Sequence, residues 1–172
     1  MRTAGISFVA RPCAVAENPL AGESAERYVR RLALAKAEAA SGSGDEIVLS
    51  ADTTVHMAGN ILEKPLDAAD AMRMLRLLAG NTHEVLTAIC LRRGERAMVD
   101  CETTRVRFVE MAEGEIRDYV ASGEPVGKAG AYAIQGLGCK FIDRIEGCYF
   151  NVVGLPVALL WRRLKEFSKV TL

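Results

Sequence analysis

An α/β fold in one domain, with a mixed sheet covered by helices, follows from three features of the sequence. The chain has 172 residues, the length of a single ordinary domain and enough to bury about 70% of its unfolded surface. Half of the residues are hydrophobic and 26% are charged, a globular balance and not a disordered one. Helical and strand-like periodicities are interleaved from end to end, which is the pattern of a sheet with helical cover.

The elements follow in order. Residues 25–40 read as a helix, with Ala25, Val29, Leu32 and Ala39 on an apolar stripe that Lys36 interrupts. Ser41-Gly42-Ser43-Gly44-Asp45 reads as a loop. Residues 46–55 open on the apolar run Ile47-Val48-Leu49, which suits a buried strand with Asp52 at or near its C-terminal end. Asp67 is placed to cap a second helix that buries Ala71, Met74, Leu75 and Leu78 and stops at Gly80. Residues 82–91 and 98–109 are β-rich and are joined through Arg93-Gly94-Glu95, a hairpin pattern. A short helix over 113–121 turns Ile116, Tyr119 and Val120 inward and ends at Gly123. The small-residue stretch 127–138 reads as a tight turn feeding a strand at 141–145. A last helix begins at Pro156, with Val157, Leu160, Trp161, Leu164 and Phe167 as its stripe.

Composition narrows the function. Lys plus Arg and Asp plus Glu both number 22, so the formal net charge is zero and a broadly basic nucleic-acid binder is disfavoured. No apolar run approaches the ~18 residues of a membrane span, and the first residues lack a signal-peptide pattern, so a cytoplasmic protein with no membrane partner is expected. Cys13, Cys90, Cys101, Cys139 and Cys148 are scattered and form no CxxC pair, the signature of reduced thiols.

Several residues look chemical. Asp52, after Ile47-Val48-Leu49-Ser50-Ala51, sits where open α/β sheets place ligand groups, although a turn-capping aspartate reads the same locally. Lys36 falls on an inner helix face, where a lysine is either paired or stretched toward water. Lys64 is held extended by Pro65, as a surface lysine or as a fixed cation. Residues 127–136 let backbone approach a ligand but match neither a Walker A loop nor a dinucleotide fingerprint. His56 and His83 lack a metal-binding context, and no serine sits in a GxSxG elbow. Acids and lysines on an α/β frame suit phosphate plus a divalent metal.

The blocks Ala51-Asp52-Thr53-Thr54-Val55, Ile61-Leu62-Glu63-Lys64-Pro65 and Gly80-Asn81-Thr82-His83-Glu84-Val85-Leu86-Thr87 resemble the Maf family of nucleoside triphosphate pyrophosphatases. Gly123-Glu124-Pro125, Lys128-Ala129-Gly130-Ala131-Tyr132-Ala133-Ile134-Gln135-Gly136 and Asn151-Val152-Val153-Gly154-Leu155-Pro156 continue the resemblance in the family's order. It implies a two-lobed α/β fold with a mixed, curved sheet, related to the inosine-triphosphate pyrophosphatases. It implies hydrolysis of a nucleoside triphosphate to the monophosphate and pyrophosphate, a divalent metal (Mg²⁺ or Mn²⁺) and a homodimer. By motif position Asp52 matches the proton acceptor and Lys36 and Lys64 the phosphate-site lysines. Glu17, with Asp52, matches the metal site, although the acid usual before Glu17 is Ala16 here. Thr53 and Gln135 match the positions tied to base selection, and Ala131-Tyr132-Ala133-Ile134-Gln135-Gly136 looks like the branch acting on dTTP and UTP.

The family's opening strand and its Ser-x-Ser-Pro-Arg-Arg loop are not found; Met1-Arg2-Thr3-Ala4-Gly5-Ile6-Ser7-Phe8 looks like the segment after that loop. The resemblance therefore also implies a phosphate cradle short of an arginine. A catalytically impaired nucleotide-binding or division-control protein is the alternative expectation.

Overall fold

The computed structural model describes residues 1, 4–40 and 45–169. Arg2, Thr3 and the Ser41 to Gly44 part of the expected loop lie outside the described residues. The elements are α1 (Ala25–Ala39), β1 (Val48–Met57), β2 (Asn60–Leu62), α2 (Ala68–Leu78), β3 (Thr82–Arg93), β4 (Arg96–Phe108), α3 (Glu113–Ala121), β5 (Ile142–Glu146), α4 (Tyr149–Val153) and α5 (Val157–Lys169). Local chemistry sets their ends. The Ser24 side chain accepts from the Arg27 N–H at the start of α1, and Asp67 accepts from the Asp70 N–H at 2.8 Å at the start of α2. The Glu115 carboxylate reaches back to the Ala112 N–H ahead of α3. Arg93 pairs with Arg96 across Gly94-Glu95, and Gly94 takes the positive φ of 56° that a two-residue hairpin demands.

The α/β class with helical cover holds, but every strand pair of the five-stranded sheet, ordered β2-β1-β3-β4-β5, is antiparallel, where a mixed sheet was expected. The reason is the route of the chain. β2 folds back along one side of β1, and α2 then carries the chain to the other side, so β2 and β3 run the same way but are never neighbours.

One face of the sheet packs on α1, where Tyr28, Val29, Leu32, Ala33 and Ala37 meet Leu86, Ala88 and Cys90 of β3. On the other face, Val55, Val85, Val106 and Phe108 meet α2 and α3, and Ile89 and Leu91 meet Leu159, Leu160 and Phe167 of α5. Ala71, Met74, Leu75 and Leu78 are buried as their spacing demanded. Three details differ from the sequence reading. Ala39 is exposed, because α1 turns its last residue outward. Trp161 is half exposed and Leu159 is buried in its place, a rotation of the α5 stripe by part of a turn. Residues 127–141 are not one tight turn; they form 3-10 segments at Ala129–Ala131 and Leu137–Phe141, the second leading straight into β5. All five cysteines are free, and no helix among the described residues is long and apolar enough to cross a membrane.

One irregularity positions the site. β2 pairs with β1 only at Val55, His56 and Met57, so on that side residues 48–54 of β1 have no strand partner among the described residues.

Candidate active site

Asp52 is the fifth residue of a ten-residue strand, not at its C-terminal end as expected. β1 runs on to Met57 because β3 pairs with it as far as His56 and β2 grips its last turn of pleat. The opening to solvent is the unpaired edge. Alternation sends Asp52 toward α1, beside Ala88, and sends Thr53 to the opposite face, beside Thr87. A cleft of about 310 Å³ crosses that edge and is lined by both residues, the size of a small-molecule site.

At the charged end, Lys36 reaches up from α1. Its Nζ lies 2.5 Å from Asp52 Oδ1 and 2.6 Å from Glu17 Oε1. The second Glu17 oxygen takes Lys64 Nζ at 2.7 Å. Glu17 lies in the stretch 6–20, which has no regular secondary structure, so side chains of α1 hold it. The Tyr28 hydroxyl donates to the Glu17 carbonyl at 2.7 Å, and Arg31 donates to the Asn18 carbonyl at 3.0 Å while pairing with Glu23. Burial pushes the Asp52 carboxyl above its ordinary range, against the pull of Lys36. Burial also draws the Lys36 amine down, but its hydrogen bonds to Asp52 and Glu17 outweigh this and leave it raised. Hydrogen bonds from Lys36 and Lys64 hold Glu17 below the usual range. The lysine on the inner stripe of α1 is thus paired, the first of the two readings its position allowed.

At the neutral end, the cleft is lined by Thr53, Val55, Tyr132, Ile134, Gln135 and Gly154. Gln135 is exposed and Thr53 is half buried. Gly130 lets the 127–131 turn press on β1, since a Cβ there would stand 2.7 Å from Val55 Cγ2 and the residue has φ 68°. The Gly130 N–H donates to the Glu63 carbonyl at 3.1 Å, tying this turn to the segment that carries Lys64.

All six sequence-predicted residues, Glu17, Lys36, Asp52, Thr53, Lys64 and Gln135, therefore line the cleft or its immediate extension. The sequence reading missed four more. Glu63 joins Glu17, Asp52 and Lys64 in that extension, and burial raises its carboxyl; it stood in the Ile61 to Pro65 block with no role assigned to it. Lys128 adds a third lysine to the cleft; it opened the Lys128 to Gly136 block, where only Gln135 was given a role. Thr87 and Asn151 hold Thr53 from behind, through contacts at sequence separations of 34 and 64 that no local pattern reveals.

Glu17 and Asp52 are hard oxygen donors on two sides of one ammonium. Among the described residues no group of three or more His, Cys, Asp or Glu side chains converges as a metal cage. The donor set suits a cation held by one or two carboxylates and completed by substrate phosphates, the usual mode for Mg²⁺.

A family model described as Maf-like protein matches residues 1–167. A dTTP/UTP pyrophosphatase of Koribacter versatilis (strain Ellin345) is 46% identical over 167 residues, which cover 96% of this chain and 86% of that protein. A protein of the same name from Clostridium perfringens (strain SM101 / Type A) is 47% identical over 147 residues, 83% of this chain and 77% of that protein. Another, from Anaeromyxobacter sp. (strain Fw109-5), is 48% identical over 159 residues, 90% of this chain and 76% of that protein.

Proposed function

The chain belongs to the Maf-like family, and on that premise we propose that it hydrolyses dTTP and UTP to the monophosphate and pyrophosphate. The observation that carries the reading is the two-ended cleft. Lys36, Lys64 and a buried acid stand at one end and neutral hydrogen-bonding side chains at the other, with only the edge of β1 between them, and Lys128 adds a third lysine to the lining. A triphosphate and a base make the same demand on one molecule.

The reaction joins a water oxygen to the α-phosphorus and breaks the bond from that phosphorus to the bridging oxygen, which leaves with pyrophosphate. Asp52 takes the water's proton; burial makes its carboxylate a better base than an exposed aspartate. Lys36 and Lys64 face the phosphate oxygens, which replace Glu17 and Asp52 as their anionic partners. Lys64 is exposed and held by one carboxylate, whereas Lys36 is fixed between two. Each cation aimed at charge that grows in the transition state contributes ~3–4 kcal/mol. A divalent cation, Mg²⁺ or Mn²⁺, held by Glu17 and Asp52 would neutralise phosphate charge. A homodimer and a cytoplasmic location belong to the same reading; analytical ultracentrifugation tests the first.

The experiment is pyrophosphate release from dTTP, UTP, CTP and 7-methyl-GTP with Mg²⁺ or Mn²⁺. Metal-dependent turnover of dTTP and UTP is expected, absent in Asp52→Asn. The ion pairs that satisfy Lys36 and Lys64 without ligand favour one rival, a nucleotide binder with little turnover. Tight nucleotide binding with no pyrophosphate release would establish that rival.

A further inference from the structure

Thr53 and Thr87 stand directly opposite each other on β1 and β3, and their hydroxyl oxygens lie 2.9 Å apart. Each hydroxyl has one proton to donate and lone pairs to accept with. Thr87 Oγ1 also lies 3.0 Å from the main-chain carbonyl of Asn151, a group that can only accept. The Thr87 proton is therefore committed to that carbonyl. Thr87 is fully buried, so no solvent competes for it. Thr53 must then donate to Thr87, which leaves only lone pairs on the side of Thr53 that faces the cleft.

The carbonyl that sets this polarity is itself fixed. It also accepts the Gly154 N–H at 2.9 Å. The Asn151 side chain, fully buried, donates to the Val85 carbonyl at 2.9 Å and to Thr104 Oγ1 at 3.0 Å. Thr104 in turn donates to the Cys148 carbonyl at 3.2 Å. No hydroxyl from Asn151 back to Thr53 has a free choice of direction.

We propose that Thr87 is a positioning residue that locks Thr53 as a hydrogen-bond acceptor, so that the cleft selects a base edge bearing a ring N–H, the imide of uracil or thymine, over cytosine. The proposal rests on the pyrimidine-nucleotide reading above and gives it a physical basis. The N3 of uracil and thymine is a donor and meets a lone pair; the N3 of cytosine is an acceptor and sets lone pair against lone pair. Gln135 cannot make this choice, because it is exposed and its amide presents a donor or an acceptor by turning over. The locked threonine discriminates and the glutamine adapts.

The test compares UTP with CTP in the wild type, Thr87→Val and Thr87→Ser, by kcat/KM and by calorimetric binding of the non-hydrolysable α,β-methylene analogues. Thr87→Val frees the Thr53 proton to turn toward the cleft, and the UTP-to-CTP ratio should fall about tenfold, the worth of one hydrogen bond. Thr87→Ser keeps the donor and should keep the ratio. A merely structural role would lower both nucleotides together, and an unchanged ratio in a folded Thr87→Val overturns the proposal. A wild-type arm covers failure of that variant to fold. 5-Fluoro-UTP, whose ring N–H ionises at lower pH, should lose binding at lower pH than UTP; the protein's own titrations cancel between the two ligands. Coincident curves overturn the proposal. UTP-selective binding without pyrophosphate release, with the selectivity lost in Thr87→Val, refutes the pyrophosphatase reading and upholds this one; binding of neither nucleotide overturns both.

Discussion

The two faces of β1 carry the two halves of the site, and they are built differently. On the α1 face, Asp52 meets long charged side chains, and the outer ion pair, Lys64 with Glu17, is more than half exposed at the lysine. On the opposite face, Thr53 is backed by Thr87, Asn151 and Thr104, short uncharged side chains that are fully buried at all three backing positions. In the proposed reaction the first half exchanges partners when the triphosphate enters, and its outer pair, exposed at the lysine, holds little folding energy. The second half is set before any ligand arrives, and its hydrogen bonds cannot be broken without leaving buried groups unpaired. One strand thus separates a reactive half that must reorganise from a selective half that must not.

The sharpest way to break this comparison is at the reactive half. Asp52→Asn should lower pyrophosphate release by about a thousandfold or more, as loss of a general base does. Nucleotide binding should survive, and retained turnover would remove Asp52 from the chemistry. Lys64→Ala comes next, with turnover down about a hundredfold, the effect of one charge-stabilising donor. Its thermal unfolding should shift by less than about 1 kcal/mol, because the pair it breaks is exposed.

Asn151→Ala reverses that pattern. It strips the Val85 carbonyl and Thr104 of buried partners, and differential scanning calorimetry should show a loss of about 2–3 kcal/mol. If Lys64→Ala proved the more destabilising of the two, the contrast between the halves would collapse.

The same contrast explains what was legible in the sequence. α2 and α3 were readable because their signals are local, a cap at Asp67, glycines at Gly80 and Gly123, and a regular apolar spacing. Asp52, Lys36 and Lys64 stood out because a charge inside an apolar pattern is conspicuous. Their convergence on Glu17 was carried by the family resemblance alone, since 19 residues separate Lys36 from Glu17 and an irregular segment intervenes. The position of Asp52 was misread because strand length depends on the partners, and the three-residue β2 has too short a pattern to announce itself. Thr87 and Asn151 were invisible for a stronger reason. A buried threonine in a β-rich run and an asparagine three residues ahead of a glycine look like ordinary strand and turn residues, and only the folded chain shows where their protons point.

The mildest prediction concerns how α1 holds the segment that carries Glu17. Arg31 Nη2 lies 2.7 Å from Glu23, and the pair pulls the Glu23 carboxyl down to about 2 from an ordinary value of 4.5. Because the folded value is the lower one, the unfolded chain binds the proton more readily. The stability Glu23 supplies is therefore present above about pH 4.5 and is lost as pH falls toward 2. Arg31→Met removes the cause of the shift, so its stability should decline less steeply than the wild type's over that window, which urea titrations at successive pH values would resolve. The variant also frees the Asn18 carbonyl, one residue from Glu17. If Glu17 depends on that anchor, KM for the nucleotide should rise severalfold at neutral pH, where Glu23 is ionised in either case. An unchanged KM would mean that the Tyr28 hydrogen bond to the Glu17 carbonyl is sufficient by itself. The main chain at Glu17 would then be anchored by Tyr28 alone, and the reactive half would be looser than the comparison of the two faces already makes it.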